Sequence, residues 1–252
     1  MTASEELRAL AAQFFKRLEE SGEEFVFAPR AEIVAAAQTG LEDSQRGAGL
    51  ALPGESLEQF GRRISGCTRC RLHKSRTNFV FGSGDPEADL MFVGEGPGAE
   101  EDRQGLPFVG ASGQLLTRII AAIGFSRAEV YIANMVKCRP PGNRDPEPDE
   151  IDTCRGYLLT QIEMIRPKVL VTLGRFSAGY FHGRVGAPMK ELRGVVGEFQ
   201  GIKVVSTYHP AALLRNPGWK KGTWEDMLLA RRIYEQQGGR PSTGEVYQPG
   251  RK

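Results

Sequence analysis

The chain has 252 residues, 40% of them apolar, enough for one substantial α/β domain with room for an extension. No apolar run approaches the ~20 residues that span a bilayer, and the acidic start Met-Thr-Ala-Ser-Glu-Glu lacks a signal-peptide stretch, which argues against a membrane or exported protein and for a cytoplasmic one. The net charge of +2 hides an asymmetry: residues 1–59 hold 5 Lys/Arg and 11 Asp/Glu, and the remainder holds 28 and 20, so an acidic leader precedes a basic body suited to a polyanionic partner.

The first expected element is an amphipathic helix over residues 4–21. Ser4 suits its N-cap, and Glu5 and Glu6 suit the positive end of its dipole. Leu7, Leu10, Ala11, Phe14, Phe15 and Leu18 fall on one face. Residues 36–56, rich in Gly, Ser, Gln and charge, read as a linker. Strand-like runs then follow at Leu90–Gly94, Val130–Val136, Val169–Gly174 and Val204–Tyr208. Helical patterns lie at Gln114–Ile123, Glu150–Ile165, Phe176–Phe181 and Trp224–Gln236. This alternation predicts a central four-stranded parallel sheet with helices on both faces. The carboxyl ends of such strands carry the ligand site, which would bring Gly94–Gly98, Asn134 and His209-Pro210 to one edge. Residues 237–252 read as a disordered polar tail. The expected organisation is a leader and linker over 1–56, a catalytic domain over 57–236 and the tail.

Four cysteines stand at Cys67, Cys70, Cys138 and Cys154. In a cytoplasmic chain a CxxC pair with two partners points to metal or redox chemistry rather than disulfides. Four thiolates suit tetrahedral zinc or an iron–sulfur cubane. The wide gap between Cys138 and Cys154 is unlike the second knuckle of a zinc ribbon and favours iron–sulfur. Arg69, Arg71, His73, Lys74 and Arg76 would set basic charge on that staple.

Several motifs stand in fixed order: Gly94-Glu95-Gly96-Pro97-Gly98, Glu101-Asp102, Gly105-Leu106-Pro107-Phe108-Val109-Gly110, Asn134-Met135-Val136-Lys137-Cys138-Arg139-Pro140-Pro141, Asn143-Arg144-Asp145-Pro146 and His209-Pro210-Ala211-Ala212-Leu213-Leu214-Arg215. With the four cysteines, this set resembles the family 4 uracil-DNA glycosylases, the iron–sulfur branch of their superfamily, from about residue 57 to about 235. The resemblance implies a monofunctional N-glycosylase of base excision repair, acting as a monomer on uracil-containing DNA, with a [4Fe–4S] cluster on Cys67, Cys70, Cys138 and Cys154.

A uracil must leave the base stack before its glycosidic bond is reachable. Phe108 would stack on it. The Asn134 amide would donate to O4 and accept from N3–H, a pattern that cytosine reverses. His209 would donate to O2 as charge develops on the leaving base. At Gly96 the best-known branch of the superfamily has a water-activating carboxylate, and family 4 shares the glycine. Glu95 or Glu101 would then position the water, or Glu101 would crowd C5 and exclude thymine. Gly110 and Ser112 would hold a phosphate at a helix start. Leu213, Leu214 and Arg215 would wedge into the gap left by the flipped base.

A covalently trapping sister group is also close, but it carries a histidine-bearing insert between the third and fourth cysteines. Residues 139–153 contain no histidine. A nucleotide-binding redox enzyme is disfavoured because Gly-Glu-Gly-Pro-Gly is not the GxGxxG fingerprint. A non-catalytic DNA-binding module is the remaining alternative.

Overall fold

A computed structural model describes residues 49–242; the expected helix over 4–21 lies outside them, as do 36–48 of the linker and 243–252 of the tail. Helix α1 (Leu57–Ile64) starts in a capping box, with Ser56 and Gln59 satisfying each other's backbone. Strand β1 (Ser83–Gly84) and strand β2 (Leu90–Gly94) follow. Next come α2 (Ala99–Gln104), α3 (Ala111–Ala122) and β3 (Tyr131–Asn134). Helix α4 (Pro148–Ile165) leads into β4 (Val169–Leu173) and α5 (Arg175–Phe181). Then α6 (Met189–Leu192), β5 (Val196–Phe199) and β6 (Ile202–Thr207) precede α7 (Pro210–Arg215) and α8 (Lys220–Gln236).

The sheet order is β1-β3-β2-β4-β6-β5. The four central strands are parallel, as the alternation predicts. Two antiparallel edge strands enlarge it to a mixed six-stranded sheet. Strand β1 is too short to leave a pattern. Strand β5 turns into β6 through Gln200 and Gly201, both at positive φ, the conformation of a tight hairpin loop.

Side chains alternate across the sheet. Leu90 and Phe92 of β2 point to one core with Leu116 and Ile120 of α3 and Met227 and Ala230 of α8. Met91 and Val93 point to the other, with Leu158, Leu159 and Ile162 of α4 and Phe181 of α5. A third apolar cluster joins Phe60 and Ile64 of α1 to Cys138, Cys154 and Tyr157. Within the expected linker, Gly49 and Leu50 already hydrogen-bond to Glu163 and Thr160 of α4. The strand order reverses between β2 and β4, a switch point where the diverging connections leave a crevice.

Candidate active site

A cavity of about 600 Å³ opens at the carboxyl ends of the parallel strands. Glu95, Gly96, Glu101, Phe108, Ser112, Asn134, His209 and Arg215 all line it, as do Tyr208 and Trp219. The three segments expected at one edge therefore do meet there.

Asn134 ends β3 and is buried, and neither Nδ2 nor Oδ1 has a hydrogen-bond partner. Leaving a buried polar group unsatisfied costs about 1–3 kcal/mol, so this amide is complementary to a ligand that both donates and accepts. Gly94 makes room for it. A Cβ there would lie 2.4 Å from Asn134 Oδ1 and 2.5 Å from Phe108 Cζ.

Phe108 is buried and held in the left-handed region, at φ 52°. Its segment is tied down by Glu101. One carboxylate oxygen accepts from the N–H groups of Val109 and Gly110, each at 2.9 Å, and the other accepts from Gly98 at 3.1 Å. The Phe108 and His209 ring centroids are 5.5 Å apart, tilted by 31°.

His209 caps α7, and its Nδ1 accepts from the Ala211 N–H at 3.1 Å. That leaves the ring hydrogen on Nε2. Burial, helped by the nearby Arg215 charge, pulls its pKa down to about 4. At neutral pH His209 is thus an uncharged donor. Glu95 follows β2, and its carboxylate accepts from the Phe176 N–H of α5 at 3.2 Å. Burial pushes its pKa up, against the pull of that N–H, with Asp145 adding to the rise. Gly96 has no space for a larger residue without a shift, since a Cβ would meet Val136 Cγ2 at 2.9 Å.

The four cysteines are free thiols that line a second, small cavity with Arg76 and Tyr157. Arg76 donates to Cys138 Sγ at 3.0 Å, the Tyr157 hydroxyl to Cys67 Sγ at 3.2 Å and the Lys137 N–H to Cys154 Sγ at 3.3 Å. Among the described residues, no three His, Cys, Asp or Glu side chains are grouped so as to hold a single metal ion; the sulfurs instead surround a space. Burial above all pushes the Cys154 thiol up to about 12, against the pull of the Lys137 charge and its N–H, so a further cationic group would be needed to hold it as thiolate. Glu150, buried at the start of α4, ties the neighbourhood together: it accepts both Arg144 guanidinium nitrogens at 2.6 and 2.8 Å and pairs with Arg71 at 3.1 Å.

Residues 81–230 match the model of the uracil DNA glycosylase superfamily. The type-4 uracil-DNA glycosylase of Archaeoglobus fulgidus is 46% identical over 170 residues, 65% of this chain and 85% of that protein. That of Sulfurisphaera tokodaii is 46% identical over 187 residues, 71% and 85% of the two chains. That of Saccharolobus solfataricus is 45% identical over 197 residues, 75% and 90%. The chain belongs to the type-4 uracil-DNA glycosylases.

Within this type-4 framework several sequence expectations need correction. Leu213 is buried, at 1% exposure, because α7 turns Pro210 and Leu213 inward together; it is no wedge. Leu214, at 47%, faces out. Glu101 lines the cavity, and both of its oxygens also accept backbone N–H groups, so it braces the Phe108 loop. The Gly110 N–H goes to Glu101 and is not free for a phosphate. Ser112 does line the cavity.

Two features of this glycosylase escaped the sequence reading. Lys137 is fully buried, with Nζ donating to the Asn134 carbonyl at 3.0 Å and to Gln161 Oε1 at 2.5 Å. Burial pulls its pKa down to about 8, so it stays mostly cationic at neutral pH. Its position between Val136 and Cys138 was the available signal: a lysine in an apolar strand end. The second is the aromatic pair Tyr208 and Trp219 at the cavity rim, whose separation in sequence gave no hint that the rings meet.

Proposed function

We propose that the chain hydrolyses the N-glycosidic bond of deoxyuridine in DNA, releasing uracil and leaving an abasic site. The observation that carries this reading is the unpartnered, buried Asn134 amide beside Phe108 and a neutral His209. Uracil offers O4 to Nδ2 and N3–H to Oδ1; cytosine offers the reverse, so a fixed amide rejects it. The base stacks on Phe108. As the bond to the sugar breaks, negative charge gathers on the uracil, and His209 Nε2–H donates to O2. A neutral donor suits this step, since its benefit grows with the developing charge rather than with ground-state binding. Glu95, the half-buried carboxylate at the switch point, is proposed to position the attacking water and to face the cationic sugar. The Gly96 position contributes space, not chemistry.

The four cysteines fit a [4Fe–4S] cluster: they surround one cavity, and three of them receive N–H or O–H donors of the kind that stabilise ligated thiolates. Bound there, the cluster would supply a structural cross-link between the Cys67–Cys70 segment, the loop after β3 and α4. Uracil-containing DNA is the proposed partner, with Leu214 as the wedge and Arg215 on phosphate. The proposed catalytic domain spans about 57–236, with the acidic leader as an appendage. No helix among the described residues is long and apolar enough to cross a membrane.

The test is incubation with an oligonucleotide bearing one deoxyuridine, followed by alkaline cleavage at abasic sites. Strand scission at the uracil position, absent with thymine or cytosine there, is expected. Tight binding or covalent capture without free uracil would overturn the reading in favour of a trapping relative.

A further inference from the structure

The cavity rim holds an aromatic column that the chemistry above does not use. Trp219 ends the turn between α7 and α8 and is 43% exposed. Its ring stacks on Tyr208, centroids 4.6 Å apart and planes within 23°. The Arg193 guanidinium lies 5.4 Å from the Tyr208 centroid. Arg193 is itself fixed by the buried Asp226 at 3.0 Å, and Thr207, at the end of β6, donates to the same carboxylate oxygen at 2.8 Å. Among the described residues, the Trp219 ring has no second aromatic or cationic partner. The column therefore runs from a buried carboxylate to a half-exposed indole.

An exposed tryptophan is an unfavourable surface choice unless something covers it. This one is held in place by its partner, so little side-chain entropy remains to be lost on binding. Tyr208 directly precedes His209, and both Tyr208 and Trp219 line the cavity. The segment that carries Trp219 is basic: residues 215–221 hold Arg215, Lys220 and Lys221 and no acid. A flat π surface on a basic rim matches a nucleobase on a phosphate backbone.

We infer that Trp219 is a stacking subsite for the base next to the flipped deoxyuridine, with Tyr208 and Arg193 as the residues that hold it in place. This rests on the uracil-excision reading and adds a second contact that grips the strand beside the lesion. Stacking is tolerant of base identity, so the subsite would secure single strands without imposing a sequence.

The experiment uses single-stranded oligonucleotides carrying uracil on a 2′-fluorinated sugar, which resists cleavage by disfavouring the cationic sugar. 2-Aminopurine is placed on either side of the uracil. The parent protein should quench it at one of the two positions, and Trp219→Ala should abolish that quenching. Trp219→Ala should weaken binding about 5- to 150-fold, the range set by a 1–3 kcal/mol base–aromatic stack at 1.4 kcal/mol per tenfold. Trp219→Phe should recover part of the loss. Replacing the flanking nucleotide by an abasic spacer should make the parent and Trp219→Ala bind alike. Equal loss with and without that base, or no loss, overturns the subsite while leaving uracil excision intact. A parent protein that binds uracil and thymine oligonucleotides equally overturns the underlying reading and the subsite with it.

Discussion

His209 allows a prediction that joins protonation to chemistry. Its pKa is held at about 4 by burial and by Arg215, against about 6.5 for an unperturbed histidine. At pH 5.5 the ring should then be about 97% neutral, where an ordinary histidine would be only about 9% neutral. The acceptor role of Nδ1 toward Ala211 further assigns the hydrogen to Nε2. Nitrogen-15 NMR of the histidine rings should show one of the three histidines remaining an Nε2–H tautomer down to pH 5, and that signal should vanish in His209→Gln. The same depression has a cost in stability. Between pH 6.5 and 4 the unfolded chain binds a proton at this site that the folded chain refuses, so stability falls as pH falls through that window. The difference at pH 5 is about 2 kcal/mol. Denaturant titrations at pH 8 and pH 5 should show His209→Gln losing about 2 kcal/mol less than the parent over that interval. Single-turnover cleavage by His209→Ala should drop roughly 10²–10³-fold at pH 7.5, the usual cost of one charge-stabilising donor. A ring midpoint at 6 or above, or parental cleavage by the alanine variant, would refute the argument for a neutral donor.

Glu101→Gln should weaken uracil-oligonucleotide binding and lower stability by about 1.5–3 kcal/mol, since the charge that strengthens hydrogen bonds from three backbone N–H groups is removed and one of its two acceptor oxygens becomes an amide donor. It should not release thymine, and thymine release would return Glu101 to guarding C5. Leu213→Ala should cost about 2–5 kcal/mol in a denaturant titration, whereas Leu214→Ala should stay within about 0.5 kcal/mol. Leu214→Ala should instead slow excision from duplex more than from single strands. Protein prepared anaerobically should be brown and carry iron and acid-labile sulfide in equal amounts, and Cys138→Ser should reduce both; stoichiometric zinc without iron would refute the cluster.

The strands were legible because each central one is a short apolar run buried on both faces, as in Leu90–Gly94, and such runs differ sharply from their flanks. The site was legible where motif and strand end coincide, at Asn134 and His209. Its supporting parts were not. Glu101 reads in sequence as a free carboxylate, and only the fold brings Gly98, Val109 and Gly110 around it. Leu213 and Leu214 are chemically equal, and the orientation of a single six-residue helix divides them into core and surface. Tyr208 and Trp219 meet through a turn whose course no periodicity encodes. The β5–β6 hairpin was hidden because Gln-Gly is a less familiar two-residue loop than Asn-Gly.

The stretch from Asn134 to Cys138 holds the unpartnered buried amide, the buried Lys137 ammonium and one of the four thiols within five consecutive residues. Their spacing is set by one run of backbone, braced through Lys137 to Asn134, Gln161 and Cys154. Inserting or deleting one residue there would misplace all three together, while the exposed loop around Val185 could lengthen without reaching any of them. On the proposed reading, base preference is therefore tuned by exchanging side chains within this register.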